Sequence, residues 1–144
     1  MKVSESRFGT LLKVREHQEK KAQRELNQIR SDKQDAENEL TKLDEKRSEE
    51  MDNSLKKEKV TATEMQTRKA FIKRLSKEMQ QQQQKIEQIQ QQEEDKRVEV
   101  VERNQDREMV EKLEQKYQTH LAKEKERKEQ RLVDVLAQRV RASL

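Results

Sequence analysis

The stretch FGTLLKVREHQEKKAQRELNQIRSDKQDAENELTKL, residues 8–43, decides the fold by its spacing. Every third or fourth residue gives Phe8, Leu12, Arg15, Glu19, Ala22, Leu26, Ile29, Lys33, Ala36, Leu40 and Leu43. This 4-3-4-3 repeat is the heptad period of a helix that packs along another helix. The stripe is impure, because Arg15, Glu19 and Lys33 stand in it. Such a helix needs a partner but does not hold it tightly.

Composition agrees with that reading. Only 28% of the 144 residues are hydrophobic and 44% are charged, too little apolar material for a thick globular core. Low hydrophobicity with high charge also marks disorder. Here, however, there is no proline and one glycine, Gly9, in the first turn of the helix. Glu, Lys, Arg, Gln and Leu dominate, and all are good helix formers. A chain of this kind with a 3.5-residue repeat reads as a long helix or coiled coil.

Outward from the stripe, residues 1–7 are polar, and Ser4 or Ser6 can cap the first helix. Past Leu43 the inward positions fall to Arg47, Glu50 and Ser54, with Met51 and Leu55 off register. Asp52-Asn53-Ser54 is a mild turn signal. Thr61 with Glu64 fits a capping box. These signals predict helix one over about 7–57, a tip within about 52–63 and helix two over about 64–142, together one coiled-coil domain. Helix two has its own stripe, Met65, Arg68, Ile72, Leu75, Met79, Gln82, Ile86 and Ile89. It weakens at Glu93 and Lys96 and returns at Val100, Val110, Leu113, Tyr117 and Leu121. The glutamine-rich runs, Gln80 to Gln84 and Gln90 to Gln92, read as a solvated face, since the stripe continues through them. Their other reading is an interaction or aggregation tract.

Charge selects the partner. Residues 35–52 hold eight acidic and three basic side chains, and residues 65–85 hold six basic and one acidic. Folding the chain about residue 60 lays these segments side by side, whereas a parallel dimer in register sets acid beside acid. Opposite flanking charges set partner and orientation in coiled coils. The expected fold is therefore all-α, two long helices forming an antiparallel coiled-coil hairpin. The same fold pairs Phe8 with Leu113, Leu12 with Met109, Ala22 with Val98 and Leu40 with Met79. Residues beyond about Tyr117 have no partner on helix one, leaving roughly 40 Å of helix with an amphipathic end. In the alternative arrangement, residues 61–82 fold back as a short separate helix and the termini align.

Chemistry is sparse. His17 and His120 are far apart in sequence and read as solvated residues, not metal ligands. One glycine cannot build a phosphate loop. Pairs of carboxylates are the background of a charged helix. No cofactor, metal or catalytic residue is expected. The net charge of +4 is spread over interleaved signs, and the basic run Lys123 to Arg131 also holds Glu124, Glu126 and Glu129, so nucleic acid is not an expected partner. No run approaches the ~18 apolar residues of a membrane span. Met1 to Thr10 lacks the apolar core of a signal peptide, which predicts a cytoplasmic protein.

Several motifs have a family likeness. Phe8-x3-Leu12-x-Val14-Arg15-Glu16, then Ala22-Gln23-Arg24-Glu25-Leu26 and Ala36-Glu37-Asn38-Glu39-Leu40-x2-Leu43, resemble the FliJ family of flagellar export proteins. Phe71-Ile72-x2-Leu75 and the basic-then-apolar end, Arg127 to Val140, continue the likeness. Stalk proteins of injectisome secretion look similar. The resemblance implies an antiparallel two-helix coiled coil, similar to the rotor stalk of rotary ATPases. It implies a non-catalytic adaptor that enters the hexameric export ATPase ring, promotes ring assembly, binds the cytoplasmic domain of the export gate and escorts export chaperones. Carried onto this chain, Phe8, Leu11, Leu132, Val133, Leu136, Arg139 and Val140 would face the ring. Leu43, Phe71 and Leu75 would meet the gate. Where the family offers aromatic residues near the end of helix one, this chain has Lys46 and Glu50. Phe71 is turned about 100° from the inward Ile72, free for a partner or flanking the seam. The expected place is the cytoplasmic face of the cell membrane at the flagellar base, with no direct membrane span. A hairpin predicts a monomer when free. A self-associating structural coiled coil, the competing reading, predicts oligomers that grow with concentration.

Overall fold

The computed structural model describes residues 7–56 and 59–144, so the candidate caps Ser4 and Ser6 lie outside the described residues. Two helices account for nearly all of the described chain: α1, Arg7–Lys56, and α2, Ala62–Ser143. No residue between Ala62 and Ser143 interrupts α2, so residues 61–82 do not fold back as a separate helix. Away from the seam, the helices are fastened by repeated bonds one turn apart. Gln23 donates to Asn27, Gln28 to Asp32, Gln34 to Asn38 and Gln91 to Asp95, all at 3.0–3.2 Å. Each such pair is worth about 0.2–0.5 kcal/mol.

The turn is built from end-capping. The Thr61 hydroxyl accepts from the Glu64 N–H at 3.1 Å, the hydroxyl half of a capping box, and the Thr61 carbonyl takes the next N–H, that of Met65. Arg68 reaches back to α1, where it donates to the Asn53 carbonyl at 3.4 Å and sits 3.9 Å from the Glu50 carboxylate. Asn53 is among the last four residues of α1, whose carbonyls have no partner within the helix.

Packing divides the described chain into two units. One is the described part of Met1–Lys20 with Val101–Leu144, and the other is the described part of Lys21–Val100. In the second unit, Glu50 meets Arg68, the Ala36 carbonyl accepts from Gln82 at 2.9 Å, Lys33 lies 3.2 Å from Glu93, and Glu25 lies 2.6 Å from Lys96. As α1 numbers fall, α2 numbers rise, so the helices run antiparallel as a helical hairpin. Its seam buries Ala22, Leu26, Ala36, Leu43, Leu75 and Ile86. The glutamine runs lie mostly outward, with Gln82 alone among them turned partly inward to bond Ala36.

In the first unit, Phe8 stacks edge-on against Tyr117, with ring centroids 6.0 Å apart. That is four residues beyond the expected partner Leu113. Three of the expected apolar pairings fail for one reason: Val98, Met109 and Leu113 stand off the inward heptad positions and are exposed. Val110 is buried, and Val100, Arg103, Arg107 and Tyr117 are half-buried on the inward phase. Leu40 and Met79, the fourth pair, do both lie on the seam side. Met65, Leu113 and Leu121 of the expected stripe are exposed.

The polar members of the α1 stripe meet polar members of the α2 stripe. Glu19 accepts from Asn104 at 3.1 Å and from the Arg107 guanidinium. Arg103 donates to Gln18, and Arg15 lies 4.0 Å from Asp106. Glu93 is shared between Lys33 and Arg30. Partial burial tends to raise the Glu19 pKa, but the bonds from Asn104 and Arg107, with the Arg107 charge, outweigh it and hold the carboxyl below its usual range. The Lys96 ammonium bonded to Glu25 holds that carboxyl low, and Glu25 and Glu99 hold Lys96 high.

Two measurements test this packing. Leu26 is 3% exposed and Leu132 is 61% exposed. Leu26→Ala should cost about 2–3 kcal/mol, the low end for a core truncation because a thin seam closes readily, and Leu132→Ala less than about 0.5 kcal/mol, both read by urea unfolding. Lowered carboxyl pKa values mean stability that is present above the unfolded value near pH 4.5 and lost as pH falls through the folded values. The raised Lys96 value adds stability that is present below about pH 10.5 and lost above its folded value. The thermal midpoint should therefore fall between pH 7 and about pH 3, and fall less in the Glu19→Gln/Glu25→Gln double variant. An unchanged midpoint in the natural chain would sink the seam electrostatics.

Candidate docking surfaces

The seam faces inward, so function has to sit on what it leaves outside. In the first unit, the last inter-helix contact described is Phe8 against Tyr117. From Gln118 to Leu144 every residue is exposed except half-buried Glu124, which pairs with Arg127 along the same helix. This stretch stays helical to Ser143, with local support such as Gln130 donating to Asp134 at 3.0 Å. Leu132, Leu136 and Val140 follow each other at four-residue steps along one face, with Arg139 one turn on and Val133 beside them. All five are exposed.

This face is not the seam prolonged. The inward phase of α2 runs through Val110, Glu114 and Tyr117, and at the same period continues to Leu121, Glu124, Lys128, Arg131 and Val135. Leu132 and Leu136 are turned from it by about one residue, or 100°, and Val140, two residues from the nearest inward positions, by about 200°. The other two ring candidates differ in setting. Phe8 is half-buried against Tyr117, and Leu11 is at the margin of exposure. Tyr117 and Leu132 are fifteen residues apart, about 22 Å along the helix. The seven candidates therefore form two groups, not one patch.

In the second unit, Leu43 and Leu75 are buried in the seam, while Phe71 is 39% exposed. Of these three, only Phe71 offers area to a partner. The sequence missed a groove beside the turn, lined by Ser54, Val60, Met65, Arg68, Lys69 and Ile72, with a volume of about 250 Å³. Near it in the chain, Leu55, which stands off the stripe, and Met65 are exposed.

His17 and His120 are exposed, and no cluster of three His, Asp or Glu side chains with metal-ligand geometry occurs among the described residues. No described helix is long and apolar enough to cross a membrane.

A family model described as "Flagellar FliJ protein" matches residues 4–142. No curated protein and no solved structure matches the chain. The matched span takes in α1, the turn and α2 to within one residue of its end. With its two antiparallel heptad helices and exposed terminal face, the chain belongs to the FliJ family, non-catalytic components of the flagellar protein export apparatus.

Proposed function

We propose that this chain is the stalk of the export apparatus, entering the hexameric export ATPase ring by the end that holds both chain termini. The observation that carries this reading is the exposed α2 face of Leu132, Val133, Leu136, Arg139 and Val140, which has no α1 partner among the described residues. An apolar stripe on a helix with a cationic neighbour suits a groove that takes an amphipathic helix. Phe8 and Leu11 stand at the start of the paired region, where they brace the emergence of α2 and meet the rim of the ring.

The tip half meets the cytoplasmic domain of the export gate. Phe71 is its contact, and Leu43 and Leu75 set its position from within the seam. In this reading the protein promotes ring assembly by bridging subunits, links ring to gate, and escorts export chaperones, all without chemistry of its own. It works at the cytoplasmic face of the cell membrane at the flagellar base, held there by its partners. The free chain is a monomer, because α1 already has α2 along its seam.

The test is the ATP hydrolysis rate of the cognate export ATPase, held below its assembly concentration. The full chain should raise the rate several-fold. Both a truncation ending at Arg131 and the Leu136→Asp/Val140→Asp variant should fail to do so while keeping the helicity of residues 7–117. No rise at saturating full-length protein would overturn the ring reading. Concentration-dependent mass in sedimentation would then favour a self-associating coiled coil.

A further inference from the structure

The groove at the turn is lined by apolar and cationic side chains together. Its apolar lining is Val60, Met65 and Ile72, with Val60 and Ile72 half-buried and Met65 62% exposed. Nearby in the chain, Leu55 is 86% exposed. Of its two cations, Arg68 is committed to Glu50 and the Asn53 carbonyl. Lys69 has no ion pair among the described residues, and the same holds for Lys56, Lys59 and Lys73 around it in sequence. The first turn of α2 offers only Glu64 against them.

An apolar lining with one uncommitted lysine, Lys69, and further lysines near it in sequence define the ligand by complementarity. We propose that this groove binds an acidic amphipathic helix of another protein. One or two of its apolar side chains enter between Met65 and Ile72, and its carboxylates meet Lys69 and the flanking lysines. Methionine suits such a site because its flexible thioether fits side chains of differing shape. A second copy of this chain is the wrong occupant, since equivalent tips bring lysine against lysine. An anionic lipid surface is a poorer one, because a flat surface reaches Leu55 but not the half-buried Ile72. The inference does not depend on the ring reading or on the role of Phe71.

The probe is a fluorescein-labelled peptide of about twelve residues with leucines at helical i, i+3, i+4 and i+7 positions and glutamates elsewhere. Its twin carries lysine for every glutamate. Anisotropy titration against the full chain should show saturable binding of the acidic peptide alone. Lys69→Glu should weaken it about fivefold to tenfold and Met65→Asp about tenfold or more. Met65 and Lys69 are both exposed, so these variants should keep the parent melting curve. Phe71→Ala should leave the affinity within about twofold, since Phe71 does not line the groove. Equal binding of the basic peptide, no saturation with the acidic one, or unchanged affinity in the Met65→Asp/Lys69→Glu variant would each overturn the proposal. So would co-sedimentation with phosphatidylserine vesicles that depends on these residues while the peptide does not bind.

Discussion

The ion-paired layers inside the seam are the constraint on which the rest depends. A two-helix seam of leucine and isoleucine alone can slide by a heptad at little cost, because each apolar residue finds another. Glu19 against Asn104 and Arg107, Glu93 against Lys33 and Arg30, and Glu25 against Lys96 do not tolerate that slide. Moving any one of them by a turn strands a half-buried charge beside apolar neighbours. The pairs add little net stability, since exposed and half-exposed ion pairs contribute about 0–1 kcal/mol each. Their effect is selection. They penalise wrong registers.

Stability then comes from a short list of apolar residues. The buried set is Ala22, Leu26, Ala36, Leu43, Leu75, Ile86 and Val110. Alanine recurs in it for a geometric reason. At Ala36 a small side chain lets the Gln82 amide reach the α1 backbone, a contact a leucine would block. Thin burial and polar layers together leave the outer faces free of structural duty.

Much of this was legible in the heptad spacing. Every inward α1 position from Phe8 to Ser54 read from the repeat is buried or half-buried. The Thr61–Glu64 signature marked the start of α2 because capping is local chemistry, settled within one turn. The register was less legible. Leu113, Met109 and Val98 were apolar and at the right distance, but hydrophobicity alone does not reveal phase where polar residues hold the inward positions. Glu114, Arg107 and Arg103 occupy those places, and a search for apolar matches passes over them. Of the candidate site, the terminal face was legible because it is the most apolar stretch of the chain. The groove at the turn was not, since it is assembled from the end of one helix and the start of the next. Leu43 and Leu75 show the converse limit: spacing identifies them as apolar seam positions, and the seam then removes them from a partner's reach.

The turn has a further consequence, for the order in which the hairpin forms. Arg68 and Asn53 are only 15 residues apart in sequence, whereas Gln82 and Ala36 are 46 apart, Lys96 and Glu25 are 71 apart and Arg107 and Glu19 are 88 apart. Loop-closure entropy rises with that separation, so the first contact is cheapest beside the cap, and each later layer adds a small increment once its neighbour is in place. The chain behaves as a zipper with its slider at Thr61. Opening runs the other way and begins where Phe8 meets Tyr117. The segment next to the exposed terminal face is thus the part that parts most easily, and anything bound to that face would act on the loose end of the zipper and leave the cap closed.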